Sequence, residues 1–281
     1  MKQLKFFLIG GMVMAFTACN DSEIDGLATT EVDLATETTV ESALEDTDVI
    51  IDAALDVSIA SGGRIDNGDV EVLQCAEVTH DTEAQTITVD YGDGCEGPRG
   101  RVRRGRLLIT YDGDRFTEGS FRTVTFDDFF VDETQIEGTR THTVTTVDSD
   151  SGVYTVDIAL VGGKMTFDDG TSITREASRT RTTNLGLGIE NFTTVNASAS
   201  GLNREGVAYS METTTPLTFK RACRFERIFV PVSGVKVRTV GDVTVTIDYG
   251  DGACDNLAVV TSSDGTVEEI ELEIRGRRRG R

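Results

Sequence analysis

The sequence contains two histidines, His80 and His142, and each lies inside a threonine-rich pattern typical of a β-strand. Asp81 follows His80 directly, but neighbouring residues of a strand point to opposite faces, so these two side chains would not share a ligand. Nucleophilic catalysis with a histidine base also needs a third group that orients the base, and the sequence nominates none. Acidic residues are so frequent that spacing selects no carboxylate pair for glycoside hydrolysis. We therefore predict surface histidines, no catalytic residue and no enzymatic activity.

An eight-residue segment, Thr88–Cys95, returns in closely similar form as Thr246–Cys254, and both copies contain Tyr-Gly-Asp-Gly. Glycine permits the positive φ of a sharp bend, and aspartate caps such a turn with its carboxylate. We therefore predict that Asp93 and Asp251 cap tight turns and that the protein needs no cofactor. Calcium is the functional alternative for these two aspartates, because carboxylates and turn carbonyls suit that cation.

Two arginine clusters stand out in an otherwise acidic chain. Guanidinium groups bind phosphate and sulfate through paired hydrogen bonds, so each cluster is a candidate site for lipopolysaccharide or an acidic glycan. For the first cluster, pairing with acidic residues of neighbouring strands is the favoured interpretation. For the second, an anion site and a frayed tail both stay open. The clusters are Arg99, Arg101, Arg103, Arg104 and Arg106, and Arg275, Arg277, Arg278, Arg279 and Arg281.

Four cysteines flank the two copies of the repeat: Cys75, Cys95, Cys223 and Cys254. An even number of cysteines in an exported chain indicates disulfides. Three pairings are possible, and the position of the cysteines around the repeat favours Cys75–Cys95 and Cys223–Cys254. No C-x-x-C pair occurs, which argues against a zinc site.

A helical pattern precedes the strand-rich part of the chain. Thr38 and Glu41 have the spacing of a capping box, apolar residues follow at helical intervals, and two glycines end the run. We predict an amphipathic helix over 38–62 that packs on the sheet, after an acidic, flexible tether over 19–37.

Residues 64–274 alternate between apolar and polar types, with Asp-Gly turn signals between the alternating runs. Two of these runs, Thr139–Thr143 and Thr174–Arg181, place arginine and threonine where a β-sandwich needs apolar core residues. The fold class we predict is therefore mostly β, a broad, twisted antiparallel meander with one helix. A β-sandwich is the alternative.

The first eighteen residues have the pattern of a secretory signal: Lys2 and Lys5, the apolar run Phe6–Met14 and small residues before Cys19. The apolar run is shorter than the roughly 20 residues that span a bilayer. Phe16–Cys19 resembles the lipobox of bacterial lipoproteins. The resemblance implies that residues 1–18 are removed, that diacylglycerol is attached to Cys19, and that the protein is anchored to the outer membrane.

The net charge of the chain is −21, and removal of residues 1–18 takes away two lysines and no acidic residue, which leaves −23. A charge of this size argues against nucleic acid as a partner. We predict a non-catalytic, membrane-anchored lipoprotein whose β-rich ectodomain binds an envelope protein or glycan, or has a structural role. The alternative is a calcium-dependent adhesin or glycan-binding module. Residues 275–281 form a separate arginine-rich tail.

Overall fold

The computed structural model describes residues 22–61, 70–97, 100–185, 188–226, 228 and 230–272. It contains one α-helix, α1 (Ser22–Ser61), and fourteen β-strands. The strands are β1 (Glu77–Asp81), β2 (Thr86–Asp90), β3 (Cys95–Glu96), β4 (Val102–Asp112), β5 (Phe121–Val131), β6 (Thr134–Asp148), β7 (Val153–Thr166), β8 (Ser172–Asn184), β9 (Phe192–Leu202), β10 (Ala208–Lys220), β11 (Ser233–Val240), β12 (Val243–Asp251), β13 (Leu257–Ser262) and β14 (Val267–Glu271).

The strands form one antiparallel sheet in the order of the chain. β3 pairs only with β4, the other strands follow one another from β1 to β14, and the sheet does not close on itself. Consecutive strands pair because short turns join them, so each contact in the sheet is local in sequence. The predicted broad, open meander is confirmed, and the described strands form a single sheet instead of the sandwich.

Glycines at β-bulges let this sheet curl. Gly105 and Gly138 have φ values of 76° and 117°. Each lies where the register of a strand pair shifts, β4 with β5 and β6 with β7. A Cβ at Gly105 would collide with the carbonyl group of Asp128. A bulge adds one unpaired residue to one strand and bends it, so repeated bulges give the sheet a trough.

The helix lies in this trough, along β8. Glu37, Glu45 and Asp52 pair with residues that follow one another along β8, and Asp46 reaches β4 on one flank. Between residues 34 and 58 the exposed positions of the helix are 35, 38, 49 and 56. The other positions are buried or half-buried, so the sheet surrounds the helix on most sides. Val40, Ala43, Leu44, Ile51, Ala54 and Leu55 belong to the main apolar core.

The start of the helix differs from the prediction. Thr38 lies inside α1, where its hydroxyl donates to the carbonyl of Leu34 at 2.9 Å. The hydroxyl of Thr39 does the same to Ala35 at 3.0 Å. A threonine inside a helix bonds back to the preceding turn in this way. The prediction that Thr38 and Glu41 form a capping box at the start of the helix was therefore wrong. α1 begins at Ser22, within the segment predicted to be a tether.

Two disulfides join the cysteines as predicted. Cys75 pairs with Cys95 at a Cα separation of 6.0 Å, and Cys223 pairs with Cys254 at 5.1 Å. The repeat copies lie on β2 and β12, close to the two opposite edges of the sheet. Cys19, the signal segment 1–18 and the tail 275–281 are outside the described residues. Among the described residues, no helix has the length and apolar character needed to cross a bilayer.

Candidate functional site

Charged residues line the interface between α1 and the sheet. Six of the acidic residues of α1 recur at intervals of three or four, which places them along one side of the helix. Asp46 points to a neighbouring side. The acidic residues in ion pairs are Glu37, Glu41, Glu45, Asp46, Asp48, Asp52 and Asp56. Their partners are Arg101, Arg103, Arg115, Arg122, Arg140, Arg175, Arg179, Arg181, Lys236 and Arg238.

Asp48 is at the centre of this interface. Its carboxylate accepts two hydrogen bonds from Arg140, at 2.8 and 2.9 Å, and both side chains are 4% exposed. His142 Nε2 lies 3.4 Å from Asp48 Oδ1, and His142 is fully buried. Burial alone would raise the pKa of Asp48, but the charge and the hydrogen bonds of Arg140 outweigh it and lower that pKa. Asp48 is therefore a carboxylate held charged in the interior.

His142 is held neutral by the same surroundings. Burial lowers the pKa of its imidazole well below 6.5, and the charges of Arg140, Arg122 and Arg181 add to that effect. Asp48 acts in the opposite direction but does not compensate. The sequence interpretation of His142 as a surface residue was wrong, because the residue faces the acidic helix. His80 is elsewhere, on β1, where its Nε2 forms a hydrogen bond of 2.7 Å with the hydroxyl of Tyr111.

The amino-terminal half of the described interface has a second buried group. Arg175 and Arg238 both donate to Glu37 Oε2, at 2.9 and 3.0 Å. Burial would raise the pKa of Glu37, but Arg175, Lys236 and Arg238 lower it to about 2. Lys236 donates to both oxygens of Glu41, at 2.7 and 2.8 Å. Strands β8 and β11 are thus joined through two acidic residues of the helix.

The carboxy-terminal half repeats this pattern with graded exposure. Arg122 and Arg181 lie 3.1 and 3.5 Å from Asp52. Arg115 lies 2.8 Å from Asp56, whose side chain is 59% exposed. The interface therefore runs from buried pairs near Asp48 to a solvated pair at the end of the helix.

The first arginine cluster divides between the two faces of β4. Arg103 donates to both oxygens of Asp46 at 2.7 Å, and Arg101 donates to the carbonyl and hydroxyl of Ser42. On the other face, the guanidinium of Arg104 stacks 3.5 Å from the ring centroid of Phe130, and Arg106 pairs with Asp127. The four described arginines of the cluster all contact protein groups. Arg99 is outside the described residues.

The repeated turns use different aspartates from those predicted. Asp90 Oδ1 accepts a hydrogen bond from the amide of Gly92 at 2.7 Å, and Asp248 Oδ1 accepts one from Gly250 at 2.9 Å. The prediction that Asp93 and Asp251 cap these turns is corrected accordingly. The capping residue precedes the tyrosine because an Asx turn bonds two residues ahead. Within the described ranges, no group of three or more His, Cys, Asp or Glu residues is placed to hold a metal ion.

The outer face of the sheet carries an open groove across β7 to β11, with a volume of about 490 Å³. Its outward-facing residues are mostly small and hydroxylated, with a carboxylate towards each side. They include Glu176, Ser178, Ser198, Ser200, Ser210, Glu212 and Thr239. The groove lies within the size range of small-molecule sites, although it is shallower and more polar than most.

Sequence reasoning identified some of these groups but not their arrangement. It identified arginines in β6 and β8 at positions where a sandwich needs apolar core residues, but it did not pair them with the acidic residues of α1. A comparison of the chain with protein-family models, with curated proteins and with solved structures finds no match. Among the described residues, the candidate functional features are the charged helix–sheet interface and the outer groove.

Proposed function

We propose that the protein is a non-catalytic lipoprotein of the bacterial envelope, anchored to the outer membrane through Cys19. Its ectodomain, a sheet with the helix α1 packed inside it, has a structural or binding role. The observation that carries the proposal is the use of the interior charges. A hydrolase would direct its carboxylates and guanidinium groups at a substrate. Here these groups form ion pairs with one another across the helix–sheet interface, as Asp48 does with Arg140.

Two further observations support export and anchoring. Disulfides persist in oxidising compartments, and the sheet has one near each edge. The lipobox-like segment Phe16–Cys19 ends shortly before Ser22, the first residue of α1. An anchor at Cys19 would therefore connect to the helix that forms the core of the ectodomain.

Replacement of the lipidated cysteine tests the anchor. Cys19→Ser removes the thiol that accepts diacylglycerol, so we expect the protein to move from the membrane fraction to the soluble fraction. Multiple acyl chains give stable anchoring, and the change should therefore be nearly complete. The measurement is immunoblotting of fractionated cells, together with incorporation of labelled palmitate. Equal membrane retention of parent and variant would contradict the anchor.

A second candidate function, glycan binding, is favoured by the outer groove. A hydroxyl such as that of Ser198 can donate to and accept from sugar hydroxyls, and the carboxylate of Glu212 can accept from them. Val161 and Val237 at the same site suit the apolar faces of a sugar ring. The groove is open along its length, which suits a polymer better than a small free ligand. This role is compatible with the anchored, non-catalytic protein proposed above.

A bulky residue on the floor of the groove tests this second function. Ser198→Trp would fill the groove, and we expect it to reduce binding to purified envelope polysaccharides by at least roughly tenfold, because the ligand's contacts are lost by steric exclusion. Asn196→Trp is the matched control, because Asn196 is exposed on the same strand outside the groove. Binding is measured on a glycan array and by biolayer interferometry. Equal binding by both variants, or no binding by the parent, rules the groove out.

A further inference from the structure

The residues that line the outer groove carry charge of one sign. Among these described residues, Glu176 and Glu212 have carboxylates, and none is a lysine, arginine or histidine. Both glutamates are exposed. Lys164 of β7 lies 3.6 Å from Glu137 of β6, so this cation is paired on the side away from the groove. The groove therefore disfavours acidic ligands, because like charges that face one another weaken binding.

The register of the strands sets the two carboxylates on opposite sides of β9. Glu176 of β8 lies opposite Ser200 of β9, and Ser198, two residues earlier on β9, lies opposite Glu212 of β10. Neighbouring strands are about 4.8 Å apart and alternate residues of a strand about 6.7 Å apart, so the Cα atoms of the two glutamates are roughly 12 Å apart. A ligand that contacts both carboxylates has to cross β9 and the exposed serines of its outer face.

Interruptions of the strand pairing hold the two carboxylates beside the groove. Gly162, with a φ of 62°, is part of a bulge in the pairing of β7 with β8, and its amide donates to Glu176 Oε1 at 2.8 Å. The regular pairing of β10 with β9 stops directly after Glu212 and resumes at Leu217. Bulges redirect side chains and are common next to functional sites. Apart from the bond to Gly162, neither carboxylate has a hydrogen-bond or ion-pair partner among the described residues.

We propose that the groove binds glycans built from amino sugars that carry free ammonium groups. The proposal rests on the glycan-binding function described above and names the class of glycan. An ammonium group donates charge-assisted hydrogen bonds to a carboxylate, and these are roughly twice as strong as bonds between neutral groups. Ser198 and Ser200 lie between the glutamates, where their hydroxyls bond to sugar hydroxyls. An oligomer supplies an ammonium group to each carboxylate, whereas a monosaccharide supplies only one.

Binding of matched oligosaccharides tests the proposal. The exported protein with Cys19→Ser is titrated by calorimetry with oligomers of glucosamine, N-acetylglucosamine and galacturonic acid of equal length, in one buffer. The glucosamine oligomer should bind about tenfold more tightly than the N-acetylated one, the change expected for two exposed ion pairs. The galacturonic acid oligomer should bind most weakly, because it brings carboxylates to the groove. Free glucosamine should bind more weakly than its oligomer.

A double variant isolates the two carboxylates. Glu176→Gln with Glu212→Gln keeps the shape of both side chains, so it should bind the glucosamine oligomer about tenfold more weakly and the N-acetylated oligomer as the parent does. Glu268→Gln with Glu269→Gln is the matched control, because it removes the same charge from exposed residues of β14 and should leave both affinities unchanged. An oligolysine of equal charge measures the general attraction of cations to a chain of net charge −21. Its affinity should change equally little in the two double variants.

The outcomes distinguish this proposal from the glycan-binding function itself. Equal affinity of the parent for the glucosamine and N-acetylglucosamine oligomers, with both lost in Ser198→Trp, would overturn the amino-sugar class and keep the groove as a glycan site. Two results would show attraction by charge alone and overturn the proposal: a loss in the control variant as large as in the groove variant, or oligolysine binding that depends on the groove glutamates. A parent that binds no oligosaccharide would overturn the groove function and this inference with it.

Discussion

Asp48→Asn should lower the free energy of unfolding by about 3–5 kcal/mol, the range found when one partner of a buried ion pair is removed. The change keeps the size of the side chain but removes the charge that compensates Arg140 in a site where both residues are 4% exposed. Arg122 and Arg181 face the same region. Uncompensated positive charge would therefore stay buried between the helix and the sheet. Urea unfolding of parent and variant gives the difference.

Asp56→Asn is the matched control for this experiment. It makes the same chemical change on the same helix, in an ion pair whose carboxylate is 59% exposed. Exposed pairs contribute roughly 0–1 kcal/mol, so this variant should stay within about 1 kcal/mol of the parent. The double variant Asp48→Leu with Arg140→Met should recover part of the loss, because an apolar pair carries no desolvation cost. A loss at Asp48 no larger than at Asp56 would show that the buried pairs do not hold the helix.

The strand pattern predicts the sheet because it is a local signal. Alternation such as Thr86–Tyr91 and Asp-Gly turns act within a few residues, and a meander pairs neighbours in sequence. The pairing of the four cysteines was predictable for the same reason, since each pair spans one short stretch of chain. The position of α1 depends on contacts with strands far along the chain, such as Glu37 with Arg238. No local pattern encodes that position.

The pattern of charged residues in the sequence could have predicted where the helix packs. Arginine at 140 and 175 falls on the strand face that also carries apolar residues, and this is anomalous for a sheet packed on an apolar layer. The same face requires acidic partners, and α1 carries acidic residues at intervals of three and four. Matching these two patterns would have predicted a helix buried by ion pairs. The aspartates of the repeated turns were missed for a simpler reason, because the capping bond runs from Asp90 to Gly92 and not from Asp93.

Acid should weaken the fold in two stages, and the first belongs to His142. Its pKa in the folded protein lies well below 6.5, so below pH 6.5 the unfolded chain binds a proton that the folded chain does not. Stability therefore falls as the pH falls through 6.5, by about 1 kcal/mol between pH 7.5 and 5.5. The second stage begins near pH 4.5, where Glu37, with its folded pKa of about 2, and Asp48 remain charged in the fold. Because the unfolded chain binds this proton first, Glu37 alone lowers the free energy of unfolding by about 3 kcal/mol by pH 2.

The contribution of His142 can be isolated from that of the whole chain. At net charge −21, a fall in pH also relieves repulsion between acidic residues, which stabilises the fold and opposes the first stage. The decisive quantity is therefore the difference in slope between parent and His142→Gln, measured by urea unfolding at pH 7.5, 6.5 and 5.5 in one high-salt buffer that screens the repulsion. His142→Gln should lose this decrease of about 1 kcal/mol, whereas His80→Gln, at the other histidine, should keep it. Parallel slopes for parent and His142→Gln would mean that His142 takes up its proton without unfolding, and that the helix–sheet interface accepts a further positive charge.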